Sequence, residues 1–263
     1  MNSSTSTPRH PKAIISSFIN NFIYIRNPYI IMWWSAALPG FGHIMLCRYF
    51  IGSILIIWEF YINSYSGLNE AILYSFIGEF EKAKEVLNPR IATLYIPVYF
   101  FAIWDSRRIT IELNKMSILA DQQKAPIFRA VISPLDLNYL EIRKPKMAII
   151  YSILCPGLGQ LYLHNYVMGF YLLLWWVITI FKSNIIPALP LFLIGDFEVS
   201  TSLIAMQWFL FIPSIFGFSI YNAFVASKEL NKMFKLEQAR YFNKEFANSS
   251  IFNYFMNQKT KGE

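Results

Sequence analysis

Apolar residues come in long unbroken blocks rather than at the one-sided spacing of a soluble helix. The clearest runs from Leu161 to Phe181, where His164 is the only ionisable side chain. A helix needs about 20 such residues to cross the roughly 30 Å hydrocarbon core of a bilayer. A second block, Ile44 to Tyr61, carries Arg48 near one end and Glu59 near the other. Both charges are expected to reach outward to the headgroups. Ile91–Trp104 and Leu203–Ala223 are two further apolar blocks. Tyr29–Leu38 and Met147–Cys155 are shorter; each makes about 15 Å of helix, half a bilayer. Each short block runs into Pro-Gly-x-Gly, at Pro39, Gly40 and Gly42 and at Pro156, Gly157 and Gly159. Glycine accepts positive φ and proline does not continue a helix, so a turn is predicted at both places. The predicted unit is a half-helix, a re-entrant turn and two transmembrane helices.

This unit is written twice. Residues 25–116 and 142–233, aligned without a gap, share 25 identities in 92 positions. Composition alone would give about six. Ile-Arg-x-Pro, Pro-Gly-x-Gly and Ile-Gly-acid-Phe-Glu recur in register, and Glu112-Leu113-Asn114-Lys115-Met116 is identical to Glu229-Leu230-Asn231-Lys232-Met233. The expected organisation is an N-terminal segment (1–24), a first repeat (25–116), a polar linker with Pro126 and Pro134 (117–141), a second repeat (142–233) and a tail (234–263). The fold class is all-α: a polytopic helical membrane protein of two tandem parallel repeats.

Composition strengthens the membrane reading. Hydrophobic residues make up 55% of the 263, aromatics 18% and charged residues only 15%, with a mean hydropathy of +0.37; soluble domains carry about 25% charged residues. The net charge of +7 is unevenly placed. Residues 1–28, 105–147 and 226–263 hold 18 of the 23 Lys and Arg, whereas 66–90 has three basic and four acidic residues and 182–202 has one and two. Because basic loops stay inside, both termini and the linker are expected in the cytoplasm and the two acidic segments outside, as for a bacterial-type inner membrane. That orientation fits half-helices that turn back. Six full crossings, with the second copy inverted, remain the alternative. No cleavable signal peptide is evident. Cys47 and Cys155 are too few for a disulfide scaffold or a zinc site.

At Pro-Gly-x-Gly-[His/Gln], followed by aromatics and a later glycine, the chain resembles the TM-two domain family. The matching residues are Gly40, Gly42, His43, Tyr49, Gly52 and Trp104-Asp105, and then Gly157, Gly159, Gln160, Tyr162, Gly169 and Tyr221-Asn222. The resemblance covers about 25 positions per copy. It implies a multi-pass membrane module whose last helix ends at the aromatic-Asp pair. The chain departs from that pattern in a long outer insertion, a shortened His spacing and the loss of His and Asp from the second copy.

Candidate chemistry is sparse. His43 and Asp105 invite proton transfer, but Gln160 and Asn222 replace them and keep only hydrogen bonding. A hydrogen bond, with Asp105 and Asn222 as a helix-end polar pair, is the expected shared role. Arg26 and Arg143 are candidates for headgroup contact, or simply obey the inside-positive bias. Glu79 with Glu81, and Asp196 with Glu198, read as solvated acids rather than a cation site. Gly52 and Gly169 invite close helix packing. From Ala226, the tail reads as an amphipathic helix on the inner leaflet, with docking on a cytosolic partner the alternative. No catalytic residue, metal site or cofactor is expected, because no nucleophile elbow, phosphate loop, dinucleotide fingerprint or zinc motif occurs. Nor does the charge suggest nucleic acid. The expected function is a structural or interaction component of a membrane assembly, whose partners are the lipid bilayer and a membrane protein or a second copy of the chain. A transporter or channel subunit with a path between the two turns is the alternative, and a lipid-modifying enzyme using His43 and Asp105 is the third reading.

Overall fold

The computed structural model describes residues 8–134 and 137–246. The described chain is mostly helical, with a few two- and three-residue strands. Strands β1 (Ala13–Ile15) and β2 (Asn20–Phe22) open it and pair antiparallel. Helix α1 (Pro28–Ala37) follows, started by Pro28 in its first turn and by Asn27, whose side chain accepts from the Tyr29 N–H. Both are standard helix-start chemistry.

After α1 the chain is extended at Leu38, turns at Gly40 and enters the short α2 (Phe41–Met45). A second reversal at Cys47 leads into α3 (Tyr49–Ser66). Helices α4 (Leu68–Phe76) and α5 (Phe80–Val86) form a small hairpin around Gly78. Asn88 and Pro89 then start α6 (Pro89–Gln122), whose axis turns 88° from that of α5.

Three short strands come next: β3 (Ile127–Phe128), β4 (Ala130–Ile132) and β5 (Leu137–Tyr139). β3 pairs parallel with β1, and β4 pairs antiparallel with β5. The remaining helices are α7 (Pro145–Leu154), α8 (Leu158–Tyr162), α9 (Tyr166–Lys182), α10 (Ile185–Leu193), α11 (Phe197–Leu203), α12 (Met206–Phe209) and α13 (Ile212–Phe246).

The largest core joins residues far apart in the chain. Phe41 stacks on Phe218 at 4.0 Å between ring centroids, and Phe60 on Trp175 at 4.2 Å. Trp34, Ile56, Leu172 and Ile215 complete its centre. A second core, of Ala13, Ile15, Leu140, Leu230 and Met233, ties β1 to α13.

Among the described residues one helical stretch, Met206–Phe246, is long and apolar enough to cross a membrane. Up to three qualify if the bent pairs α5–α6 and α9–α10 each count as one span.

Several sequence expectations change. Helix α6 does not stop near Trp104 but continues to Gln122, 34 residues and about 50 Å in all. Asp105 and Asn222 therefore lie inside α6 and α13 rather than at helix ends. The polar stretch after Trp104 contains no helix breaker, so nothing ends the helix where the apolar block ends. The 117–141 stretch is correspondingly no loose linker: its start belongs to α6, and its strands pack against the N-terminal segment.

The tail helix is continuous with α13, and Leu230 and Met233 are covered by the protein's own strands instead of a leaflet. Arg240 donates to the Ala125 carbonyl at 2.6 Å and Arg129 pairs with Glu237. Residues 247–263 of the tail lie outside the described residues. Glu59 also departs from expectation: it is buried in the interior of α3, where it accepts from Asn63 at 2.8 Å instead of reaching out.

Candidate functional site

The two Pro-Gly-x-Gly turns are built alike. Gly40 and Gly157 have φ of +103° and +101°, a region that side-chain-bearing residues avoid. A Cβ at Gly40 would collide with the Gly52 carbonyl oxygen, and one at Gly157 with that of Gly169. At Gly42 and Gly159 it would collide with the hydroxyls of Ser35 and Ser152. Gly52 and Gly169 thus admit their own turn, rather than a helix from elsewhere in the chain. Pro39 and Pro156 stand at the head of these turns, directly before the glycines.

Each turn rests on a buried polar pair. His43 lies in α2, and its Nε2–H donates to Asp105 Oδ2 at 3.3 Å. The other carboxylate oxygen of Asp105 accepts from Arg108 at 2.6 and 2.9 Å. In the second half, Gln160 Nε2 donates to Asn222 Oδ1 at 3.3 Å and to the Ser219 carbonyl at 2.9 Å. Ser219 Oγ accepts from the Gly157 N–H at 3.1 Å. One pair is ionisable and the other is not, yet both hold the helix after the turn against a long helix. His43 and Gln160 are fully enclosed. Neither side chain is exposed, and the Asp105 carboxylate is shared between His43 on one oxygen and Arg108 on the other.

Arg26 and Arg143 share an anchor that sequence reasoning missed. The Arg26 N–H donates to Asn114 Oδ1 at 2.9 Å, and Asn114 Nδ2 donates back to the Arg26 carbonyl at 2.8 Å. The same exchange joins Arg143 to Asn231, at 2.8 Å both ways. The identical Glu-Leu-Asn-Lys-Met segments were the available signal. Their asparagines clamp the backbone just before Pro28 and Pro145, whose rings cannot supply an N–H.

The two guanidinium groups differ. Arg143 forms an ion pair with Glu141 and lies over Tyr162. Arg26 is only 9% exposed and sits 3.8 Å from the Tyr24 ring centroid. Arg26, a candidate for headgroup contact or for simple inside-positive bias, is buried beside the N-terminal strands.

A second missed network crosses the two halves. Gln207 Nε2 donates to Asn63 Oδ1 at 2.7 Å and to its carbonyl at 3.1 Å. Asn69 Nδ2 donates to the Gln207 carbonyl at 3.0 Å, and the Glu70 N–H to Gln207 Oε1 at 3.1 Å. Nothing in spacing foretold it, because the partners are far apart in the chain and belong to different elements.

Three of the four acids in the Ile-Gly-acid-Phe-Glu segments have local partners. Glu79 pairs with Lys82, Glu81 with Lys84, and Asp196 accepts from the Val199 N–H at the start of α11. Cys47 and Cys155 are free thiols.

No protein-family model matches this chain, and neither does any curated protein or solved structure.

Proposed function

We propose that this chain is a multi-pass membrane protein of two tandem repeats that acts as a structural or interaction component of a membrane assembly, with both termini in the cytoplasm. The observation that carries the reading is the set of large apolar side chains left exposed beside a packed apolar interior. Trp33 on α1, Phe50 on α3, Phe100 and Trp104 on α6, and Phe170 and Phe181 on α9 are all exposed. Soluble monomers rarely leave contiguous apolar surface of this kind uncovered; lipid or a partner would cover it. The repeat reading draws further support from the paired Asn clamps and the paired glycine turns, each 117 positions apart. It extends the resemblance to TM-two modules, with a half-helix, turn and two spans per copy.

A transport path between the turns has less support. The space that such a path would use holds the Phe41–Phe218 stack, and both rings are fully buried. A lipid-modifying role for His43 and Asp105 is weaker still, since neither is open to a substrate.

Reporter fusions after residues 66, 120 and 200, combined with cross-linking in intact membranes, test the proposal. Fusions at 66 and 200 should report the exterior, the fusion at 120 the cytoplasm, and cross-linking should trap a dimer or a defined complex. An exterior signal at 120 would overturn the topology, and a lone monomer under every condition the assembly role.

A further inference from the structure

The two arginines that open the two halves are neutralised differently, and the difference falls beside a cavity. In the second half, Glu141 supplies a carboxylate to Arg143. At the equivalent place in the first half stands Tyr24. Burial pushes the Tyr24 phenol up and Arg26 only partly offsets this, so Tyr24 remains neutral and brings no counter-charge. Glu229, whose field reaches Tyr24, is engaged by Lys232 at 2.5 Å. Among the described residues Arg26 forms no ion pair, and its Nε–H has no acceptor although the residue is nine-tenths buried. A buried guanidinium without an anion is costly, because desolvation is not offset by an opposite charge.

Arg26 lines a cavity of about 210 Å³ between the N-terminal strands and the α2 turn. His10 lines the same cavity, and both of its ring nitrogens are buried without a partner. Lys12 also reaches it, but its ammonium is already bound by Ser117 and Asp121. The remaining walls include Leu46 and Leu113. Arg26, with one unpartnered N–H on a fixed cation, and His10, with two unpartnered ring nitrogens, therefore line one half-open space with mostly apolar sides. Such an arrangement suits a phosphate: Arg forms charge-assisted bonds to its oxygens, and imidazole N–H adds a directional donor.

We propose that this cavity binds a phosphate group held by Arg26 and His10, taking the place that Glu141 fills for Arg143. The phosphate is carried by an anionic lipid, whose substituent the apolar walls would meet, or comes free from solution and is held by Arg26 and His10 alone.

The test uses the full chain purified in detergent, with thermal unfolding followed by tryptophan fluorescence. One arm adds sodium phosphate against sodium chloride of equal ionic strength, and the other adds micelles containing phosphatidylglycerol. At saturation the wild-type Tm should rise by about 3 °C or more in at least one arm. A response to inorganic phosphate points to an aqueous ligand, and a response to the lipid alone to a headgroup. Arg26→Gln and His10→Ala should lose most of the rise. Tyr24→Glu should lose it while raising the basal Tm, because it installs the internal counter-ion of the second half. No rise in wild type in either arm would overturn the proposal, as would an undiminished rise in Tyr24→Glu and His10→Ala; those two variants carry the test should Arg26→Gln not fold. The inorganic-phosphate arm does not depend on the membrane reading, so the two can fail separately.

Discussion

Asn114 and Asn231 do the work of two backbone partners each. Both lie on a long helix, and both satisfy the N–H and carbonyl of an arginine that precedes α1 or α7 and belongs to no regular ladder. Removing such a side chain strands two buried polar groups, each worth about 1–3 kcal/mol. Asn114→Ala and Asn231→Ala should therefore each destabilise the protein by about 2–4 kcal/mol, while Asn→Asp retains only the half of the exchange in which oxygen accepts. Chemical unfolding in detergent measures this; a loss under 0.5 kcal/mol, the ordinary surface range, would show the clamp to be incidental.

Helix α13 shows how one element can serve two environments. Its first half joins the central core through Ile215 and Phe218, and its second half buries Leu230 and Met233 against β1. The N-terminal strands are too short to be stable alone, so their order rests on that contact. Leu230→Ala should cost about 2–5 kcal/mol locally and expose residues 8–24 to protease and to hydrogen exchange, while α1–α3 stay protected. If protection at residues 8–24 is unchanged, the strands are held by something else, and the hydrogen bonds from Asn138 to Ser16 and Asn20 are the next candidates.

The two halves meet through aromatic stacking at the centre and through the Gln207 network toward the α4–α5 hairpin. The stacking is non-directional and tolerates small shifts, whereas the network fixes register, because Gln207 bonds three residues of the first half. Gln207→Ala leaves the Asn63 oxygens and the Glu70 N–H short of partners, while Asn69 keeps its bond to the backbone carbonyl at 207, and should lower stability by about 2 kcal/mol. Gln207→Leu should be no better, since it restores volume but not polarity. Differential unfolding of the two halves, monitored by cysteine labelling, would check this; full cooperativity in Gln207→Ala would mean that the aromatic core alone couples them.

The order of apolar blocks, the glycine turns and the doubled motif could all be read from residue order, because each is a local property: block length, tolerance of positive φ, similarity in register. His43 with Asp105, and Gln160 with Asn222, could be picked as pairs for the same reason, since one motif carries each member at one spacing. Helix ends were misread at Trp104 because hydropathy marks where oil stops, not where hydrogen bonding stops. The Asn clamps, the Gln207 network and the buried state of Arg26 belong to the folded arrangement alone. They join residues about 90 to 140 positions apart, and which buried polar group meets which partner is decided only when packing brings them together and water is excluded.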